Sequence, residues 1–140
     1  MKDDFFSRDA MNAAGLDFLP GRLGIRFTRA RKGAVDAEIE LEKHHLAPNG
    51  YLHAGTVVAL ADSACGYGCM HSLPDGAVGF TTIELKSNFV ATALDGVIEV
   101  RAEARHLGRT TQLWDAEVKH RDTGKTIAMF RCTQLVIWPK

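Results

Sequence analysis

The feature that most constrains this chain is a run of 17 residues, 54–70, AGTVVALADSACGYGCM. It holds no Lys, Arg or Glu, and its length favours a helix over a strand. A helix that is apolar on nearly every side is a buried helix. One acid, Asp62, interrupts it. An unpaired carboxylate in such a setting is costly, so it has a partner, takes up a proton, or faces a cavity or interface.

The rest of the chain supplies what surrounds that helix. Residues 1–22 read as a short helix and connector, with Ser7 as N-cap, Gly15 as stop and Pro20-Gly21 as a turn. Residues 23–31 read as a strand and Lys32-Gly33 as a turn. Over residues 34–42, Val35, Ala37, Ile39 and Leu41 alternate with Asp36, Glu38, Glu40 and Glu42, giving a half-buried strand with an acidic wet face. Residues 44–52 form a loop in which His44 and His45 are exposed. After Leu73-Pro74-Asp75-Gly76 four more strands follow. Residues 78–90 place Thr81, Ile83, Leu85 and Phe89 on one face, with Thr82, Glu84, Lys86 and Asn88 opposite. Residues 97–106, 111–120 and 125–138 complete the set, joined by turns at Gly108-Arg109 and Asp122-Thr123-Gly124. Glycine-bearing turns between alternating runs indicate hairpins and an antiparallel sheet. The fold class is α+β: one sheet of about six strands wrapped around one long helix.

Seventeen basic and seventeen acidic residues cancel. Bulk charge therefore gives no reason to expect nucleic acid or a membrane surface as partner. The N-terminus lacks the basic start and apolar centre of a signal peptide, and no apolar run approaches a bilayer span. Cys65, Cys69 and Cys132, odd in number and in apolar settings, suggest free thiols in the cytoplasm. Cys65 and Cys69 share a helix face but lack the four ligands of a structural zinc site, so no metal is expected. Trp114 and Trp138 suit sheet or interface packing.

Asn49-Gly50-x-x-His53-Ala54-Gly55, with Asp62 nine residues after the histidine, resembles the signature of hotdog-fold acyl-CoA thioesterases. The phenylacetate-pathway and 4-hydroxybenzoyl-CoA branch is the most similar. The segments TIELKSNF at residues 82–89 and HLGR at 106–109 are also similar to that family, and the resemblance spans residues 23 to 136. It assigns residues 23–140 to a hotdog domain. It implies hydrolysis of an acyl-CoA, with coenzyme A entering as part of the substrate and no metal or redox cofactor. It also implies active sites at the interface of a homodimer, alone or within a tetramer.

The residues fit that chemistry in their own right. The Ala54 and Gly55 amides at the helix start have no intrahelical acceptors, and the helix dipole favours negative charge there. They form an oxyanion site for a thioester carbonyl. Asp62 either attacks the carbonyl or deprotonates a water. His53 either touches the carbonyl or orients the loop and caps the helix. Thr82 matches the Ser or Thr that assists the acid in some family members. Gly50 shapes the loop, and Arg109, Lys86 and Arg105 are candidates for the coenzyme A phosphates. Asp62 lies eight residues beyond Ala54, about 12 Å along a helix rising ~1.5 Å per residue. The two cannot serve one carbon from the same helix, so a symmetric dimer with antiparallel helices is expected.

Two departures stand out. Ala47 occupies the place where the family often has Asn or Gln, with Asn49 two positions away, and Ala54 replaces the first glycine after the histidine. These departures keep a non-catalytic acyl-CoA-binding module open, and the order His53 then Asp62 also allows an enoyl-thioester hydratase or dehydratase on the same fold.

Overall fold

The structure is a computed structural model and describes residues 7–140. The first six residues of the expected N-terminal segment lie outside that range. Ser7 caps helix α1 (Arg8–Ala14) by accepting the Ala10 N–H, and Gly15 ends it. Pro20 and Gly21 do not form a turn. They sit inside a second short helix, α2 (Leu19–Arg22), where proline's fixed φ suits the first turn. Asn12 fastens α1 to the sheet: its amide donates to the Phe27 carbonyl and accepts the Phe27 N–H. This occupies part of the free edge of the first strand.

Six strands follow: β1 (Arg26–Arg31), β2 (Ala34–Glu40), β3 (Gly79–Phe89), β4 (Val97–Leu107), β5 (Thr111–His120) and β6 (Thr126–Ile137). They form one sheet in the order β1-β2-β4-β5-β6-β3, with every pair antiparallel. Helix α3 (Ala54–His71) lies across it and touches all six strands.

The core lies between α3 and the sheet. Val57, Leu60, Ala61, Ala64 and Cys65 meet Ile39, Val100, Trp114, Phe130 and Cys132 there. Each large apolar side chain so buried contributes about 1.5–3 kcal/mol. Trp114 sets the closest approach: a Cβ on Gly68 would come within 2.5 Å of its ring, so glycine lets helix and sheet meet. The indole N–H is satisfied by Gln112, whose own amide donates to the Ser72 carbonyl.

The helix is not buried on every side. A strip through Val58, Ala59, Asp62, Ser63, Gly66, Tyr67 and Met70 is only half-covered, and Ala54 and Gly55 are exposed. The helix is apolar all round, yet this chain covers one side of it.

The even face expected for β2 is not wholly wet. Glu38 is buried, because Arg26 and Arg121 both reach over the sheet to its carboxylate.

The faces expected for β3 also need correction. A bulge between Thr82 and Glu84 inserts Ile83 against β6. Before it, Phe80 and Thr82 pair with the inward residues Val136 and Gln134. After it, Leu85, Ser87 and Phe89 pair with the inward residues Cys132, Phe130 and Ala128. One extra residue reverses which parity faces the helix. Thr81 and Ile83 therefore do not share a face with Leu85 and Phe89.

Candidate active site

The loop before α3 is built by its own backbone. Ala47 and Tyr51 close it through the Ala47 N–H and Tyr51 carbonyl at 2.7 Å, and Leu46 and Leu52 form a bridge. Gly50, at φ +87°, takes a conformation that side chains oppose. Asn49 accepts the Tyr51 N–H at 3.1 Å, an Asx turn.

His45 is not an exposed loop residue. It is buried, with both ring nitrogens bonded to backbone, in a short 3-10 turn (Lys43–His45). His44 remains outside and pairs with Glu42 at 3.3 Å.

His53 is the N-cap of α3. Its Nδ1 accepts the Gly55 N–H at 2.7 Å, and its carbonyl accepts the N–H groups of Thr56 and Val57. Of the two amides expected to hold an oxyanion, Gly55 is thus engaged by the histidine. The Ala54 N–H has no acceptor among the described residues and points from an exposed helix start.

Asp62 lies two turns further along, on the open strip. Its Oδ1 is buried with no hydrogen-bond partner among the described residues. Burial raises its pKa above the ordinary aspartate value, because desolvation penalises the charged form. The carboxylate lines a cleft of about 300 Å³ with Pro20, Ser63, Gly66, Tyr67, Met70 and Phe80. The α1–α2 segment closes one side of it, and the Tyr67 hydroxyl donates to the Met11 carbonyl at 3.4 Å.

Thr82 faces inward on β3 just before the bulge and donates to Gln134 Oε1 at 2.7 Å. Gln134 is fully buried, and its amide donates in turn to Cys132 Sγ. The signal for this glutamine was its parity: it shares the inward face of β6 with Phe130, Cys132 and Val136, where a polar side chain needs a partner. The buried thiols of Cys65 and Cys69 are held in their protonated form, which is poorly nucleophilic. Burial pushes Cys69 up to about 12, and a hydrogen bond with Cys132, ahead of burial, raises Cys65 well above its ordinary value.

The fold brings Asn49, Gly50, His53, Ala54 and Gly55 together at one end of α3 and keeps Asp62 apart from them. Two larger hollows lie on the outer face of the sheet, lined by charged side chains. Lys86 lines one of them. Arg105 turns to the same face, 3.6 Å from Asp115, whose pKa is lowered chiefly by the hydrogen bond from Arg131. Arg109 has no carboxylate partner among the described residues. Its guanidinium stacks 4.2 Å over the Trp138 ring, and Trp138 Nε1 donates to the Arg109 carbonyl at 3.1 Å.

Six antiparallel strands around one helix, with an orphaned carboxylate on that helix's open side, place the chain among hotdog-fold enzymes. Its sequence matches the thioesterase superfamily over residues 49–127, more than half its length, and the chain belongs to that superfamily. It is an enzyme, a thioesterase. It is 32% identical over 111 residues to the 1,4-dihydroxy-2-naphthoyl-CoA hydrolase of Listeria monocytogenes, covering 79% of this chain and 89% of that one. The Escherichia coli enzyme of the same name is 30% identical, covering 79% and 80%. A crystal structure of a mutant thioesterase from Pseudomonas aeruginosa superposes with a TM-score of 0.88 at 28% identity, covering 94% of each chain.

Proposed function

We propose that this enzyme hydrolyses an acyl-CoA thioester to a free acid and coenzyme A. The observation that carries the reading is the unpartnered, half-buried Asp62 carboxylate on an otherwise apolar helix whose N-terminus offers a free N–H. The thioester carbonyl oxygen sits on the Ala54 N–H, and the Gly55 N–H joins when the His53 ring turns to the substrate. Asp62 attacks the carbonyl carbon or takes the proton of an attacking water. The Thr82 hydroxyl donates its hydrogen bond to Gln134 Oε1 and so leaves its lone pairs to accept from that water. No metal or redox group takes part.

The site is shared between two copies of the chain. Edge strand β3 leaves Ile83 57%, Leu85 43% and Phe89 47% exposed, and Leu85 and Phe89 project on the side where the helix lies. A long, unpaired edge that exposes large apolar side chains is a template for another chain. Pairing two β3 edges about a twofold axis sets two α3 helices side by side and antiparallel, with their open strips turned toward the interface. Asp62 of one copy then meets the helix start of the other, removing the roughly 12 Å separation along one helix.

The cleft beside Asp62 is small and aromatic-lined. An aromatic acyl group fits it, in keeping with the naphthoyl-CoA named for two relatives. Arg109, held flat by Trp138, is the preorganised cation for a coenzyme A phosphate. A reducing cytoplasm suits the three free thiols.

The test is thiol release from a panel of aromatic and aliphatic acyl-CoAs across pH. Release is expected fastest with aromatic acyl groups. Asp62 acts in its ionised form and burial raises its pKa, so kcat/KM should fall on the acid side at a pH above the ordinary aspartate value. Absence of release from every member would contradict the reading.

A further inference from the structure

We infer that His45 is a positioning residue for the helix-start donor. The inference rests on the thioesterase reading of that site. His45 is 1% exposed and joins three parts of the chain. Its Nδ1 accepts the Glu42 N–H at 2.9 Å, just past β2, and its Nε2 lies 2.6 Å from the Leu23 carbonyl, just past α2. A backbone N–H only donates and a carbonyl only accepts. One tautomer, with the proton on Nε2, satisfies both. The His45 carbonyl then accepts the His53 N–H at 3.1 Å and the buried Thr56 hydroxyl at 3.0 Å. The ring is fixed from two sides, and the carbonyl of the same residue holds the first turn of α3.

The consequence is geometric. Ala54 sits between the two residues that His45 grips. Any movement of the His45 backbone is passed to the Ala54 N–H and to the His53 ring that caps Gly55. A donor aimed at a developing oxyanion is sensitive to such movement: a displacement of about 1 Å can cost roughly 100-fold in rate. His45 touches no substrate in this arrangement and acts through the helix start.

Two substitutions separate its bonds. Asparagine places an amide near the position of Nδ1 and keeps the Glu42 bond. Glutamine reaches the position of Nε2 and keeps the Leu23 bond. We would measure kcat, KM and Tm for His45→Asn and His45→Gln, alone and combined with Ala54→Pro, which deletes the donor N–H. Each single variant should lose about tenfold or more in kcat with KM nearly unchanged. In the Ala54→Pro background the same changes should cost clearly less kcat than in the wild type, because only the Gly55 donor remains to be displaced, while Tm falls equally in both backgrounds. Equal kcat costs in the two backgrounds, or none in either, would overturn the inference. Amide exchange at Gly55 supplies a readout independent of turnover. Loss of its protection in both variants supports the role, and unchanged protection overturns it. Should the wild type release no thiol at all, the thioesterase reading fails and the Gly55 exchange still decides the role of His45.

Discussion

Asp62→Asn is expected to lower thioester turnover by roughly 10²–10⁴-fold, the usual worth of a group that moves a proton in the transition state. The side chain keeps its shape, so KM should change little. The same substitution should make the protein more stable at neutral pH. Asp62 is half-buried, its Oδ1 has no partner among the described residues, and burial raises its pKa. A carboxyl with a raised folded-state pKa contributes its stability below the unfolded pKa and loses it as pH rises through the folded one. At neutral pH the ionised group therefore weighs against folding, and asparagine removes that charge. Tm should rise by a few degrees at neutral pH, and the gain should vanish under acid conditions where both states of Asp62 are protonated. A more stable, inactive variant marks a residue kept for chemistry at a cost in stability. Unchanged turnover in a folded variant would remove Asp62 from the mechanism.

Ala54→Pro is the sharper probe of the other half of the site. Ala54 is the first residue of α3, and its N–H enters no intrahelical bond. Proline is favoured at that position because it lacks only the N–H that the helix does not use. The preceding residue, His53, has φ −69° and ψ 130°, a conformation that a following proline accepts. The helix should therefore persist, with circular dichroism and Tm close to wild type. What disappears is the free donor, and removing one oxyanion donor costs roughly 10²–10³-fold in kcat. A kcat near wild type would show that the carbonyl oxygen binds elsewhere.

Much of this was legible in the sequence, for identifiable reasons. The helix from Ala54 was visible because a nearly apolar run of that length, broken by a single acid, has few alternatives. Strand β4 was visible because its alternation and the glycine turn after it agree, and β5 and β6 because glycine-bearing turns bound them. What alternation cannot show is a bulge. The extra residue at Ile83 left the pattern of β3 looking regular while reversing its faces. Glu38 looked wet because two arginines distant in sequence, Arg26 and Arg121, supply its partners. His45 looked like loop because its ring is satisfied by backbone groups from Leu23 and Glu42, which no residue type announces. Of the candidate site, the motif around His53 pointed to the helix start and the lone acid to Asp62, and the structure sets them at the exposed first turn and on the open strip of α3. That Gly55 donates to the His53 ring, leaving Ala54 as the free amide, depends on a side-chain orientation that spacing does not encode.

The most direct test of a site shared between two chains is to mix two inactive variants. Asp62→Asn and Ala54→Pro chains, co-expressed in equal amounts, should form heterodimers, with their presence verified by native mass spectrometry. Half of the dimers are then mixed, and each mixed dimer joins an intact Asp62 to an intact Ala54 N–H at one of its two sites. Turnover should return to about one quarter of the wild-type value in a twofold-symmetric assembly. Heterodimers that form but show no more activity than the two parents would mean that each chain carries its own complete site, and the shared-site mechanism would be wrong.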